Sequence, residues 1–320
     1  MTLLLARRDV AALMDAAAWL EAVEAGFRAL AEGRAQAPPP MTIDGWGGAF
    51  HAKGASLALG RRYVALKLNG NFPANPEVRG LPTIQGAILL CDGESGALLA
   101  IIDSIEVTLR RTAAATALAA RFLARPESAT ILVCGCGAQA AAQLAALRAV
   151  LPLRRGFAWD RDQARARAFA EGHRLEAVAD LAAAGACDVI VTCTTARSPF
   201  LGPGAVRPGT FVAAVGADSP EKSEIAPELM GGALVVVDIL AQCAAMGDLR
   251  HALAAGAMGE GDVHAELHEL VAGARPGRTS RDQVTLFDST GTAVQDVAAA
   301  AVIFERACRA PGFAAIELAA

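Results

Sequence analysis

The sequence predicts an α/β chain in which a doubly wound parallel sheet is inserted into a second, α+β domain. Three observations predict it. From about residue 129 the chain alternates short apolar runs with Ala-rich helical stretches, the order of a parallel sheet with crossover helices. Between residues 38 and 103 short β-rich runs instead alternate with Gly, Pro and Asn turns, the pattern of an antiparallel or mixed sheet. After the last strand there remains one helical stretch, too short to build a core of its own, so it must pack on something already built. At 320 residues the chain is long enough for two domains. The resulting division is 1–113 plus 293–320 for the outer domain and 114–292 for the inserted one.

In chain order, residues 10 to 32 carry Leu13, Ala16, Leu20, Val23, Phe27 and Leu30 at helical spacing, and Gly33 closes the pattern. One amphipathic helix is expected there. Tyr63 to Leu68, Ile84 to Cys91 and Ala97 to Ile102 read as strands, and a helix is expected from about Ser104 to Leu123, ending before Pro126. Strands follow near 129–134, 155–160, 188–193, 210–215, 233–238 and 284–287, and a last helix near 292–309.

Composition excludes several classes. A formal charge of -4, a pI near 5.8 and 54% hydrophobic residues suit a globular protein with no general attraction to nucleic acid. Arg7, Arg8 and Asp9 interrupt the Leu3–Leu5 run, and no run approaches the roughly 18 apolar residues of a membrane span, so no membrane partner is expected. Seven cysteines, odd in number and embedded in apolar runs, read as reduced thiols of a cytoplasmic protein. Cys134 and Cys136 lack the second cluster that a metal site would need.

The strongest motif is Gly135-Cys136-Gly137-Ala138-Gln139-Ala140, directly after the apolar run 129–134. Gly135 suits a tight strand-to-helix turn, Gly137 lets the backbone approach a pyrophosphate, and Ala140 packs helix on sheet. With Asp160 ending the next strand, this is the pattern of a dinucleotide-binding, Rossmann-type unit. An acid there accepts from a ribose 2′-hydroxyl and favours NAD; Arg161 beside it suits a 2′-phosphate, so NADP stays possible. Asp160 can also be a plain helix N-cap. Thr112, Ala138, Gln139, Thr194, Val215, Gly216, Ser289 and Gly291 complete the residues expected to face the cofactor. The Asp288-Ser289-Thr290-Gly291-Thr292 segment also reads as simple capping.

Other residues suggest substrate chemistry. Lys67 stands at a strand end before an amide-rich turn, as a ligand or as a solvated terminus. Arg111 lies in an Ala-rich helix, where a buried guanidinium needs a partner; a bound carboxylate or pyrophosphate would supply one. Asp218, after the 210–215 strand, is a candidate acid/base. His264, Glu266 and His268 can be read as metal ligands or, more simply, as a solvated helix start; no metal is expected.

Together, Lys67 with Asn69-Gly70-Asn71-Phe72-Pro73, Arg111-Thr112-Ala113-Ala114, the Gly135–Gly137 loop, Gly216-Ala217-Asp218-Ser219-Pro220 and Asp288-Ser289-x-Gly291 resemble the ornithine cyclodeaminase/μ-crystallin family over nearly the whole chain. The resemblance implies a Rossmann domain within a substrate and dimerisation domain, a homodimer, and NAD(P)-linked hydride exchange at the α-carbon of an amino or imino acid. It implies that Lys67 and Arg111 hold the substrate carboxylate, Arg111 also near the pyrophosphate, and that Asp218 moves protons. The family's arginine near Met41 is absent; Lys53 either replaces it or is a surface residue. No acid near residues 50–56 suits the distal ammonium of ornithine. A ketimine reductase or amino-acid dehydrogenase is therefore expected, with ornithine cyclodeaminase as the alternative and a cofactor-binding storage protein as the non-enzyme reading.

Overall fold

The computed structural model describes residues 1–318. They form two compact units: Met1–Arg111 with the chain from Thr292 onward, and Thr112–Gly291. The division falls inside the helix Ser104–Leu123.

The first unit is built on an eight-stranded sheet. Its main path runs Ala314–Ile316, Thr2–Leu5, Leu98–Asp103, Ile84–Asp92, Arg61–Asn71, Gly48–Leu59 and Ala35–Gln36, with Met41–Gly45 also paired to Gly48–Leu59. Thr2–Leu5 is parallel to Leu98–Asp103 and the other pairs are antiparallel. The helices Ala16–Ala31 and Ala293–Arg309 pack together and against this sheet. They cross so closely that a methyl on Gly26 would stand 2.9 Å from Ala298 Cβ.

Strand Arg61–Asn71 alternates as a half-buried strand should, but with an unusual assignment. Its buried face carries Tyr63, Ala65, Lys67 and Asn69, whereas its open face carries Val64, Leu66 and Leu68. Two polar residues are thus inside and three apolar ones outside.

The single helix expected over residues 10–32 is two helices, Arg7–Leu13 and Ala16–Ala31. Met14 is extended, and the Asp15 carboxylate accepts from Ala18 N at 2.8 Å, starting a new helix. A side-chain cap won over continuous apolar spacing.

The second unit holds an all-parallel sheet of order Glu176–Ala177, Arg155–Trp159, Thr130–Cys134, Val189–Thr192, Phe211–Ala214, Thr285–Asp288, Leu234–Val237, Ala265–Glu266. Six of these are the expected strands. Their residues are almost wholly buried, including Leu132, Phe157, Ile190, Val212, Val235 and Leu286 of one core cluster, as parallel strands covered on both faces must be. Strand order reverses beside Thr130–Cys134, so the loop after it opens at a switch point, where ligands of such sheets bind.

Candidate active site

The glycine loop has the geometry its sequence predicts. Gly135 has φ +91°, and a methyl there would stand 2.8 Å from Thr194 Cγ2 and 2.9 Å from the Cys193 carbonyl oxygen. Gly137 precedes the helix Ala138–Val150 with no side-chain cap, and a Cβ on it would meet nothing within 4 Å. A 13-residue helix therefore presents its first-turn amides beside open space, an arrangement that fits a pyrophosphate. Asp160 binds this loop: Oδ2 accepts from Cys136 N at 2.8 Å and Oδ1 from Asp162 N at 2.9 Å. The cap of the next helix is Asp162, not Asp160. Arg161 is exposed. Cys134 and Cys136 are buried, and burial pushes both thiols up, that of Cys136 to about 12.

Several residues expected to face the cofactor also donate to buried carboxylates. Glu224 Oε1 accepts from Thr194 N at 2.6 Å, and its Oε2 accepts from Thr192 Oγ1 at 2.7 Å and from Gly216 N at 2.9 Å. Val215 N donates to the Thr192 carbonyl. Asp238 Oδ2 accepts from Ser289 Oγ at 2.9 Å and Gly291 N at 2.6 Å. Asp248 Oδ1 takes Glu224 N and Ile225 N, and Asp288 Oδ2 takes Leu249 N. These acids shape the loops at the carboxyl edge of the sheet and hold Thr194, Gly216, Ser289 and Gly291 in place there. Burial, then the charge of Asp248, raises Glu224 to about 7; the same two causes raise Asp288 well above the usual carboxylate range.

The first unit holds a buried cluster of cations instead. Lys67 (4% exposed) places Nζ 2.7 Å from Asp296 Oδ2, and Arg111 (4% exposed) places Nε 2.9 Å from Asp296 Oδ1. Arg111 Nη1 also donates to Gln295 Oε1 at 2.8 Å. The partner that a buried Arg111 needs is thus supplied by the protein itself. Lys53 lies directly opposite Lys67 in the strand pair, on the same side of the sheet, and its charge acts on both Lys67 and Asp296. Burial lowers Lys67 to about 7; Asp296 opposes this, while Arg111 and Lys53 reinforce it. Burial alone would raise Asp296, but Arg111 and Lys67 hold it below its ordinary value.

Asp218 stands on the loop after Phe211–Ala214, 57% exposed, with Oδ1 2.5 Å from Lys222 Nζ. Thr112 is half-buried, one residue past Arg111. His264 bonds the Pro276 carbonyl, His268 pairs with Glu266, and Glu266 also accepts from Leu240 N, so these three are engaged in local structure. A cavity of about 740 Å3 lies at the amino-terminal edge of the parallel sheet, between the strand starts at Leu234, Ala265 and Thr285. Of the candidate residues, His264 alone lines it.

Sequence reasoning missed Asp296, Gln295, Glu224, Asp238 and Asp248. Asp296 did leave a signal: it is an acid in a helix whose buried residues, Gln295 aside, are otherwise apolar, and it needs a buried cation for the reason that Arg111 needs an anion.

Residues 1–310 match the model of the family described as ornithine cyclodeaminase/mu-crystallin. The chain is 39% identical to an alanine dehydrogenase of Archaeoglobus fulgidus over 310 residues, 96% of this chain and 95% of that protein. Among solved structures, an archaeal alanine dehydrogenase dimer with bound NAD superposes with TM-score 0.93 at 38% identity, covering 99% of both chains. The Thermococcus litoralis Δ1-pyrroline-2-carboxylate reductase, in complex with NADH and L-proline, superposes with TM-score 0.94 at 30% identity, covering 98% of this chain and all of that one.

Proposed function

The chain belongs to the ornithine cyclodeaminase/μ-crystallin family, and we propose that it works as a ketimine reductase or amino-acid dehydrogenase. It is an NAD(P)-dependent oxidoreductase that transfers a hydride between a nicotinamide and the α-carbon of a small amino or imino acid. The observation that carries this reading is the buried cluster of Lys67 and Arg111 on one carboxylate, with Lys53 alongside. Two or three cations against one acid leave positive charge in excess, which the α-carboxylate of the substrate neutralises.

The Gly135–Gly137 loop and the uncapped helix after it fit the pyrophosphate, and Ala138 and Gln139 lie in that first turn. Asp160, directly after the strand Arg155–Trp159, favours NAD by accepting from the ribose hydroxyls. When bound, the dihydronicotinamide supplies the hydride. This chain's residues do the rest: Lys67, Arg111 and Lys53 bind and orient the carboxylate, and Asp218 gives a proton to the α-nitrogen in reduction or takes one in oxidation. Asp218→Asn should lower kcat about 10²–10⁴-fold with NADH affinity unchanged; unchanged turnover would remove Asp218 from the reaction.

We assign substrate binding and dimerisation to the first unit. The exposed apolar face of Val64, Leu66 and Leu68 supports a homodimer, as does the dimeric archaeal relative. All seven cysteines are free, consistent with a cytoplasmic protein. Among the described residues no helix is long and apolar enough to cross a membrane. The strand Gly48–Leu59 carries no carboxylate, which speaks against ornithine cyclodeaminase, where a distal ammonium needs an anchor. NADH and NADPH oxidation with Δ1-pyrroline-2-carboxylate, other cyclic ketimines, and pyruvate plus ammonia tests the reading; no turnover on any of them counts against it.

A further inference from the structure

We propose that Asp296 is the positioning residue of the substrate site, bridging Lys67 and Arg111 with one carboxylate oxygen each so that the two cations form a rigid socket for a single α-carboxylate. This rests on the reading of the site above and extends it to a residue with no expected contact to substrate. Asp296 is 2% exposed, and its oxygens stand 2.9 Å from Arg111 Nε and 2.7 Å from Lys67 Nζ. A carboxylate so placed fixes the directions of both cations before any ligand arrives. Gln295, the preceding residue of the same helix, holds Arg111 by a second nitrogen at 2.8 Å. Rotation of the guanidinium is thereby blocked from two sides.

Asp296 also decides whether Lys67 is charged. The groups facing Lys67 are few: Asp296 on the helix Ala293–Arg309, Arg111 and the Thr108 hydroxyl on the helix Ser104–Leu123, and Lys53 on the neighbouring strand. On its other side the strand partner is Ile88. Glu106, the acid of the Arg111 helix, is engaged by Arg7 and Arg110. Of the charged groups acting on the Lys67 amine, Asp296 favours the ammonium, whereas burial, Arg111 and Lys53 all disfavour it. Without Asp296, Lys67 loses its proton at lower pH, and an uncharged amine cannot pair with a carboxylate.

The sign of the resulting pH dependence follows. Lys67 titrates near 7 in the folded protein, so carboxylate binding is strong below that value and weakens as pH rises through it. Substrate binding draws the titration upward, and loss of Asp296 moves it downward.

The test is the affinity of L-proline for the complex of the full-length protein with NADH, measured by calorimetry from pH 5.5 to 9. Both partners are reduced, so no turnover interferes, and L-proline keeps its charges over this range. L-Alanine serves as the second probe. In the native protein the Kd should rise with a midpoint near or somewhat above neutrality, and a flat profile would overturn the proposal. Asp296→Asn should weaken binding at pH 7.5 by at least about tenfold and move the midpoint at least about one unit to acid, with NADH affinity unchanged. Asp296→Glu, which keeps the charge, should retain the native midpoint. An Asp296→Asn protein that binds NADH and shows the native profile would overturn the proposal. If the Asn variant does not fold, Asp296→Glu decides: a folded Glu variant with no pH dependence overturns it equally. Failure of the underlying reading looks different, as no binding of either amino acid at any pH, and would remove both.

Discussion

In the first unit one buried carboxylate, Asp296, is shared by two cations with a third nearby; in the second, Asp188 is likewise held by Arg125 and Arg207, but four other buried carboxylates have no lysine or arginine within ion-pair distance among the described residues. Glu224, Asp238, Asp248 and Asp288 are held by backbone amides, hydroxyls and a thiol instead. Backbone donors can satisfy a buried acid within the fold, and the product is loop shape. Lys67 and Arg111 share a single carboxylate, so their remaining charge calls for an anion from outside. On this reading, the proposed cofactor unit is shaped by buried acids and the proposed substrate unit offers a buried cation cluster to a carboxylate.

The sharpest way to break this comparison is to remove a cation. Lys67→Met should lower kcat/KM about 10²–10³-fold, the range for truncating one partner of a buried, hydrogen-bonded charge pair, and leave NADH affinity untouched. Equal losses in both would mean that the two units do not divide the work. The reciprocal change is Gly135→Ala in the second unit. Its φ of +91° and the 2.8 Å approach to Thr194 Cγ2 should cost about 1–3 kcal/mol of stability and weaken NADH binding, while denaturant unfolding reads the stability part. Weak dinucleotide binding with intact L-proline binding to whatever complex remains would sharpen the division.

A smaller effect tests the acid framework itself. Burial and Asp248 raise Asp288, so the folded protein keeps a proton that the unfolded chain releases near pH 4. Stability should then fall as pH rises from about 4 toward the folded-state value and level off above it. Asp288→Asn keeps an acceptor for Leu249 N and removes the charge, so its urea midpoint should change less with pH than that of the native protein. An identical slope in both would show that Asp288 is ionised throughout.

Much of the fold was legible because parallel strands buried on both faces must be apolar: 129–134, 188–193 and 233–238 all read directly as strands. The glycine turn was legible because a positive φ beside the Cys193 backbone admits little else. The helix break was not, since Met14-Asp15 preserves apolar spacing and only the carboxylate of Asp15 reveals the new start. Strand Gly48–Leu59 was missed as well; its Gly, Ala, His and Lys residues lack β-branched character, and its place comes from pairing along the whole of Arg61–Asn71. At the site, Lys67 and Arg111 were legible as cations in apolar surroundings, yet their common anion lies about 185 positions from Arg111 in the chain. Local patterns carry no information on such pairs. The bonds of Ser289 and Gly291 to Asp238 were not legible for the related reason that this acid lies about 50 positions away in the chain.

The central claim is that this chain moves a hydride between a nicotinamide and an amino-acid α-carbon. Its most direct test is to run the reaction with NADH deuterated at the transferred C4 position and Δ1-pyrroline-2-carboxylate or pyruvate plus ammonia, and to weigh the product. The account predicts proline or alanine carrying one deuterium at the α-carbon, with the yield collapsing in Lys67→Met. Product without deuterium, or equal labelling in Lys67→Met, would contradict it.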